Sequence, residues 1–187
     1  MQRLAVIFIL AGLMIIGYAA YEIFSTNKSQ MESLVEAQKI VSEENVTIEQ
    51  FQPEIEEEVG ILHIPKIDAE LPIIEGTDED ELAKGVGHYR GTTYPLENDQ
   101  IVLSGHRDTV FKRMGELEIG DILTIELPYG KFSYEIYETF IVDANDTTVI
   151  RSTAPDEILT VSTCYPFNFV GSAPDRYVIN AHPVQTE

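Results

Sequence analysis

The chain contains one cysteine, Cys164, and its thiol is the side chain best suited to nucleophilic chemistry. It ends the predicted strand segment 158–164 and precedes Tyr165 and Pro166, so a strand is predicted to deliver the thiol to its rim. The thiolate is the reactive form, and it needs a neighbouring base or positive charge. A lone cysteine can instead be a small buried apolar side chain. A histidine and a cation close to Cys164 would favour the nucleophile.

The chain has four histidines: His63, His88, His106 and His182. His106 alone follows a clear apolar strand, 101–103, and the intervening Gly105 is predicted to permit a sharp turn that presents the ring. Neither His63 nor His88 has a second catalytic-looking group beside it in the sequence. His106 is therefore the candidate proton carrier.

Arg176 is the candidate cation, because it begins the last predicted strand after the loop 165–175. A hairpin of that length would return Arg176 close to Cys164, where a guanidinium could bind a tetrahedral oxyanion or a substrate carbonyl. Asp108 lies two residues after His106, a separation that favours solvation over a triad. These residue types alone leave both the catalytic and the structural interpretation of Cys164 open.

Short strands separated by turn residues must position these side chains. The predicted strands are 60–65, 71–74, 101–103, 122–127, 132–142, 158–161 and 177–179. The tripeptide 128–130 is predicted to join two of them as a hairpin. Within 132–142, one face is predicted to carry Phe132, Tyr134, Ile136, Phe140 and Val142. Many short strands of this kind indicate an all-β, closed or nearly closed barrel.

One short helix is predicted within this β-rich region. Thr77 has the character of an N-cap residue, acidic residues fill the first turn, and Gly85 is a plausible stop.

The N-terminal segment 4–24 is almost wholly apolar and matches the roughly 20 residues that cross a bilayer. It is predicted to be a transmembrane anchor, although a cleaved signal peptide is the alternative. Arg3 lies on the short side of this segment, so the positive-inside rule places the bulk of the chain outside the cell. The predicted organisation is an anchor at 1–24, a stalk at 25–58 and a catalytic domain at 59–187. Near-helical spacing within the stalk predicts an amphipathic helix with Met31, Leu34, Val35 and Val41 on one face.

The formal net charge is -20, from 12 basic against 32 acidic residues, and it excludes a basic surface for nucleic acid. Acidic residues cluster at 54–58 and 78–81, where they could collect a hard cation such as calcium. A solvated face is the favoured interpretation. We predict no metal ligands and no cofactor, with calcium dependence left open.

Three segments together resemble the sortase family of transpeptidases. Residues 159–164 resemble its nucleophile strand, 103–107 its histidine segment and 175–179 its arginine strand, in the family's order. Residues 60–67 resemble the opening strand, so the likeness covers about 59–184. The sequence around His106 and Cys164 looks most like class D, a group of spore-forming Gram-positive bacteria.

The resemblance implies a sortase-type barrel of roughly eight strands with one or two short helices, behind an N-terminal transmembrane helix. It implies a single-pass membrane enzyme whose domain is extracellular and which attaches secreted proteins to the cell wall. His106, Cys164 and Arg176 would be catalytic. Cleavage would follow the threonine of a Leu-Pro-X-Thr-type sorting signal, with an amine of a peptidoglycan precursor as acceptor. The implied substrate-binding residues are Thr147, Thr148, Val149, Ile150 and Thr163.

Two other functions compete with this one. An L,D-transpeptidase is also β-rich and uses cysteine, histidine and arginine, but its signature has glycine before the cysteine and arginine soon after. Here Thr163 precedes Cys164 and the next arginine is Arg176. A membrane-anchored binding module with a buried cysteine would instead leave the thiol inert towards labelling reagents.

Overall fold

A computed structural model of the protein describes residues 2–42, 46–169 and 171–184. Eight strands close into a barrel, which confirms the predicted all-β architecture. The helices are α1 (Gln2–Val41) and α2 (Glu79–Lys84), with short 3₁₀ helices at Ile48–Gln50, Pro65–Ile67 and Met114–Glu116. The strands are β1 (Glu58–Ile64), β2 (Ala69–Glu75), β3 (Val86–His88), β4 (Gln100–Gly105), β5 (Ile122–Leu127), β6 (Gly130–Asp143), β7 (Ile158–Tyr165) and β8 (Asp175–Pro183).

The order of strands around the barrel decides which strand ends meet. It is β1-β2-β3-β4-β7-β8-β6-β5, with β2–β3 and β4–β7 parallel and the other pairs antiparallel. Because β4 and β7 are parallel, their C-terminal ends lie at the same rim. The antiparallel β8 begins at that rim. The segments that carry His106, Cys164 and Arg176 therefore converge at one end of the barrel.

Apolar side chains fill the barrel interior. Fully buried members include Leu62, Leu103, Ile136, Leu159 and Ile179. Burial of each such side chain contributes about 1.5–3 kcal/mol relative to exposure, so the closed barrel is a rigid support for its rim.

The set of alternating residues in strand β6 that faces the barrel interior changes partway along the strand. Its register against β8 shifts between Ile136 and Glu138, so Tyr137 is an extra residue and the alternation of faces reverses. Tyr134 and Ile136 are buried in the interior. Phe140 pairs with Val178, and Val142 pairs with Arg176 on the outer face. The prediction that all five apolar residues of this strand share one face is therefore wrong.

The hairpin and the short helix follow the sequence closely. Leu127 pairs directly with Gly130, which leaves a two-residue turn between β5 and β6. The N-cap position of α2 is Asp78 rather than the predicted Thr77, and the Asp78 side chain makes no capping hydrogen bond; Gly85 follows the last residue of the helix as predicted.

Helix α1 continues without a break beyond the predicted anchor. No glycine or proline occurs between residues 25 and 41, so nothing in the sequence ends the helix at 24. Its apolar half is long enough to cross a membrane by length and composition. Its second half contacts β1, β2 and α2.

The docked face of α1 differs from the predicted one. Ser33 and Ala37, one turn apart, are buried, whereas Met31 and Val35 are 61% and 57% exposed. Small side chains allow the helix to approach the barrel closely, which apolar periodicity does not reveal. The division into anchor, stalk and domain stays a prediction, and residues 1, 43–45, 170 and 185–187 lie outside the described part of the chain.

Candidate active site

Strand pairing places an arginine beside the free thiol. Cys164 of β7 pairs directly with Arg176 of β8. On its other side, Arg176 pairs with Val142 of β6. Directly paired residues in antiparallel strands project from the same face with Cβ atoms about 4.5–5.5 Å apart. Cys164 is half-buried, and Arg176 Nη1 donates a hydrogen bond to the carbonyl of Asp175 at 3.1 Å. A guanidinium has further N–H groups that can donate hydrogen bonds to an oxyanion.

His106 reaches the same rim from the neighbouring strand. Gly105 pairs with Thr163 in the parallel ladder, so His106 and Cys164 are the next residues of their strands. The hydroxyl of Thr163 donates to the carbonyl of Gly105 at 2.7 Å and ties these two strand ends together. The imidazole of His106 is half-buried and lines the groove that contains the thiol.

Gly105 supports His106 by close packing. A Cβ atom at this position would lie 2.6 Å from the ring of Phe111 and 2.8 Å from Val110. The segment after β4 folds back against the backbone of Gly105, which has no side chain in the way. The Phe111 N–H donates to the carbonyl of His106 at 3.0 Å. Gly105 is itself still part of β4, so the predicted sharp turn at this glycine is wrong.

A groove of about 470 Å³ surrounds the three side chains. Its walls come from the start of α2, from Tyr89 and from the loop 144–157, which we call the β6–β7 loop. The lining residues are Thr77, Leu82, Tyr89, Ser104, Gly105, His106, Ala144, Asp146, Thr147, Val149, Ile150, Ser162, Thr163, Cys164 and Arg176. The structure thus brings all three predicted catalytic residues into one cleft.

The predicted substrate-binding residues divide into three groups. Thr147, Val149 and Ile150 line the groove. Thr148 lies beside a neighbouring cavity under the loop, and its hydroxyl donates to Asp146 at 2.6 Å. Thr163 borders the groove, but it is 3% exposed and its hydroxyl is engaged by Gly105. Its side chain is therefore better placed to support the site than to contact a substrate.

A family model described as a sortase domain matches residues 62–184. The chain belongs to the sortase family. Sortase D of Bacillus subtilis strain 168 is 50% identical over 192 aligned residues, which cover 96% of this chain and 97% of that protein. The predicted family and its likeness to class D are confirmed. Sortases are cysteine transpeptidases, so this chain is an enzyme of that type.

Solved structures agree with the barrel. The Sortase D5 transpeptidase of Clostridium perfringens has a TM-score of 0.73 and 26% identity, over 84% of this chain and 99% of that one. Sortase C of Clostridium perfringens SM101 shares the fold with a TM-score of 0.65 and 23% identity, over 89% of this chain and 91% of that one.

Arg107 is a residue of this sortase whose importance sequence reasoning missed. Its guanidinium donates to the carbonyls of Pro166, Phe169 and Gly171 at 3.1, 2.7 and 2.8 Å. It also lies 5.8 Å above the centre of the Phe169 ring. Arg107 therefore fastens the loop after Cys164 to the segment that carries His106. Its position next to His106 in the sequence was the available signal.

The two histidines that showed no catalytic-looking neighbour in the sequence do have carboxylate neighbours in the fold. His63 Nε2 lies 2.7 Å from Glu126, and His88 Nδ1 lies 2.6 Å from Glu75. Strand pairing brings these partners from distant positions in the sequence, so neighbouring residues along the chain do not reveal them. Neither histidine lines the groove of Cys164.

The Glu75 and His88 pair is part of a buried polar network. Tyr94 also donates to Glu75 at 2.6 Å, and its ring stacks on His88 at 4.0 Å. Burial opposes ionisation of Glu75, but the hydrogen bonds from His88 and Tyr94 outweigh it and lower the pKa of this carboxyl. Burial and the bond to Glu75 together raise the pKa of Tyr94.

The acidic residues do not gather into a cluster of ligands in the described part of the chain. Asp108 is exposed, and it makes no side-chain hydrogen bond with the described residues. Among the described residues, no group of three or more histidine, cysteine, aspartate or glutamate side chains is arranged to hold a metal ion.

Proposed function

We propose that this sortase cleaves Leu-Pro-X-Thr-type sorting signals after threonine and transfers the acyl group to an amine of a cell-wall precursor. The observation that carries the proposal is the direct pairing of Cys164 with Arg176 in a groove that also contains His106. Family membership supports the coarser statement, since sortases act on secreted proteins that bear sorting signals.

The first half-reaction forms a thioester. The thiol proton of Cys164 passes to His106, the sulfur attacks the threonine carbonyl, and the oxygen of the tetrahedral intermediate accepts hydrogen bonds from Arg176. The carbon–nitrogen bond then breaks as His106 gives a proton to the leaving amine. The acyl group remains on Cys164.

The second half-reaction releases the acyl group to an amine. His106, now neutral, accepts the proton that the incoming amine loses as it attacks the thioester carbonyl. Arg176 binds the second oxyanion, and the thiolate leaves as the amide forms. Amines are better nucleophiles than water at neutral pH, so transfer outruns hydrolysis when an acceptor is present.

The walls of the groove suit an apolar and extended peptide. Val149 and Ile150 supply apolar surface for the leucine and proline of the signal. Helix α1 would anchor the enzyme, with the barrel on the extracellular face, where secreted proteins and peptidoglycan precursors meet. Sortases are membrane-associated, and the long apolar part of α1 is consistent with that location.

Mass spectrometry tests this function directly. The full-length protein in detergent is incubated with Leu-Pro-X-Thr-Ala and Leu-Pro-X-Thr-Gly peptides, with and without an added amine. A threonyl adduct on Cys164, and an amide product when the amine is present, are expected. Cys164→Ala should form neither. Cleavage at another bond, or an inert thiol that forms no adduct, would contradict the proposal.

A further inference from the structure

The side chain of Gln100, the first residue of β4, forms hydrogen bonds with the backbone of the β6–β7 loop. The side-chain amide donates from Nε2 to the carbonyl of Val149 at 2.8 Å and accepts the N–H of Arg151 at Oε1, also at 2.8 Å. One buried amide thus bonds the backbone on both sides of Ile150. Gln100 is 6% exposed, so water does not compete effectively for these bonds.

The orientation of the Gln100 amide is fixed by its other partner. Nε2 also donates to the hydroxyl of Thr160 at 2.8 Å, and that hydroxyl donates to Asn180 Oδ1 at 2.9 Å. Asn180 in turn donates to Glu138 at 3.1 Å. A flipped amide would place its oxygen against the Val149 carbonyl, so the network allows only one arrangement.

Asp99, the preceding residue, holds the next part of the same loop. Its Oδ1 accepts the backbone N–H groups of Thr153 and of Ala154, the latter at 3.1 Å. Its Oδ2 accepts the hydroxyl of Ser152 at 2.9 Å. Hydrogen bonds from the backbone N–H groups of Thr153 and Gln100 and from the Ser152 hydroxyl lower the pKa of Asp99. Its carboxyl therefore stays ionised as an acceptor.

We infer that Asp99 and Gln100 are positioning residues that hold Val149 and Ile150 in the groove wall before substrate binds. The inference rests on the proposed function, because it gives this loop a role only as a contact surface for the sorting signal. Neither side chain reaches the thiol; both act through the backbone of the loop. A loop that is already ordered does not lose its conformational freedom when the peptide binds, and affinity increases accordingly.

The inference predicts an effect on KM. Gln100→Leu removes the bonds on both sides of Ile150, so KM for the sorting peptide should rise about tenfold, with kcat little changed. Gln100→Glu keeps an acceptor for Arg151 but opposes the Val149 carbonyl with a carboxylate, so it should not restore KM. Asp99→Ala should raise KM too. Asp99→Asn keeps an acceptor oxygen and should recover most of the loss.

The test combines these kinetics with amide hydrogen exchange of the full-length protein in detergent without substrate. Exchange should accelerate within residues 149–154 in Gln100→Leu and Asp99→Ala while the barrel strands stay protected. Asp156→Ala removes an exposed carboxylate from the same loop, and Thr124→Val removes a hydrogen bond to Ser133 elsewhere on the barrel. Both controls should leave loop exchange and KM unchanged.

Two results would overturn the inference. One is unchanged loop exchange and KM in Gln100→Leu. The other is faster exchange across the whole barrel with a fall in kcat, which would make Gln100 an ordinary core residue. A wild-type enzyme with a protected loop that leaves the peptide intact would instead contradict the proposed function. The exchange comparison would still decide whether Asp99 and Gln100 hold the loop.

Discussion

Cys164 and Arg176 are direct partners in the ladder between β7 and β8. Their proximity is set by strand register and not by the loops around the groove. A guanidinium held in this way needs little reorganisation when negative charge develops on the substrate oxygen. The ladder therefore places the proposed oxyanion partner at a fixed position relative to the proposed nucleophile.

Arg176→Lys tests whether that partner acts through geometry or through charge alone. An ammonium keeps the charge but loses the planar fork of donors, so kcat should fall about 100-fold or more while KM changes little. Steady-state kinetics with the sorting peptide measure both constants. Arg151→Lys, on the β6–β7 loop, is the matched control and should retain activity. Full activity of Arg176→Lys would remove Arg176 from the mechanism.

Ile150→Asp tests the apolar wall of the groove. A carboxylate at this position would lose its hydration against the leucine or proline of the signal, so KM should rise at least tenfold or turnover should vanish. Val149→Asp should act in the same direction. Ile119→Asp changes an apolar residue that is 69% exposed and distant from the groove, and its kinetics should match the wild type. Normal KM in both groove variants would place the signal elsewhere.

The convergence of the three candidate catalytic residues could be predicted because each one ends or begins a recognisable strand. The apolar runs before His106 and Cys164 and after Arg176 locate all three at strand ends, and family motifs supply the pairing. The face reversal at Tyr137 could not be predicted in this way. Glu138 interrupts the alternation of apolar residues within 132–142, but only the register against β8 shows that Tyr137 is the extra residue.

Glu75→Gln tests the buried network beneath the rim. The substitution removes the carboxylate charge that accepts hydrogen bonds from His88 and Tyr94. The free energy of unfolding should therefore fall by about 2 kcal/mol at neutral pH. Glu116→Gln, in an exposed pair with Arg113, should leave the unfolding free energy nearly unchanged, because solvent screens such a pair. Urea denaturation of the detergent-solubilised proteins measures both.

The same network predicts a pH dependence. The pKa of Glu75 is lower in the folded than in the unfolded protein, so its contribution is complete above its unfolded value of about 4.3. That contribution is lost as pH falls through the lower folded value. The stability difference between wild type and Glu75→Gln should therefore be constant from pH 6 to 8 and shrink below about pH 4. A difference that grew on acidification would contradict the assignment.

The polar supports of the site show where sequence reasoning ends. Gln100 and the loop around Ile150 are about fifty residues apart, and Glu75 lies thirteen residues before His88. A glutamine or a glutamate within an apolar run shows only that a polar side chain needs a hydrogen-bond partner. The identity of the partner depends on barrel closure and on strand order. The buried Ser33 and Ala37 of α1 belong to the same class, because small residues mark a close contact only once the neighbour is known.

The single cysteine offers a direct test of topology. If α1 spans the membrane with Arg3 inside, a membrane-impermeant thiol reagent should label Cys164 in intact protoplasts. Cys164→Ser should show no labelling, and permeabilised cells should show no further increase for the wild type. The labelled protein should retain its full mass of 21.0 kDa in the membrane fraction. Labelling that requires permeabilisation would reverse the proposed orientation, and a shortened soluble product would favour a cleaved signal.

Arg107→Lys tests whether the loop after Cys164 must be fastened to the His106 segment. A lysine cannot donate to the carbonyls of Pro166, Phe169 and Gly171 together, nor stack as a plane on Phe169. Exchange should accelerate in residues 166–169 and 171–174. Because His106 and Cys164 would then lose a shared support, kcat should fall about tenfold.

Lys112→Met is the control for this variant, since it removes an exposed positive charge a few residues along the same segment. It should leave both measurements unchanged. If Arg107→Lys loosened the loop without any change in kcat, the loop would be fastened for a reason other than the alignment of His106 with Cys164. If the loop stayed protected, neither the three carbonyl bonds nor the stacking on Phe169 would be what orders it.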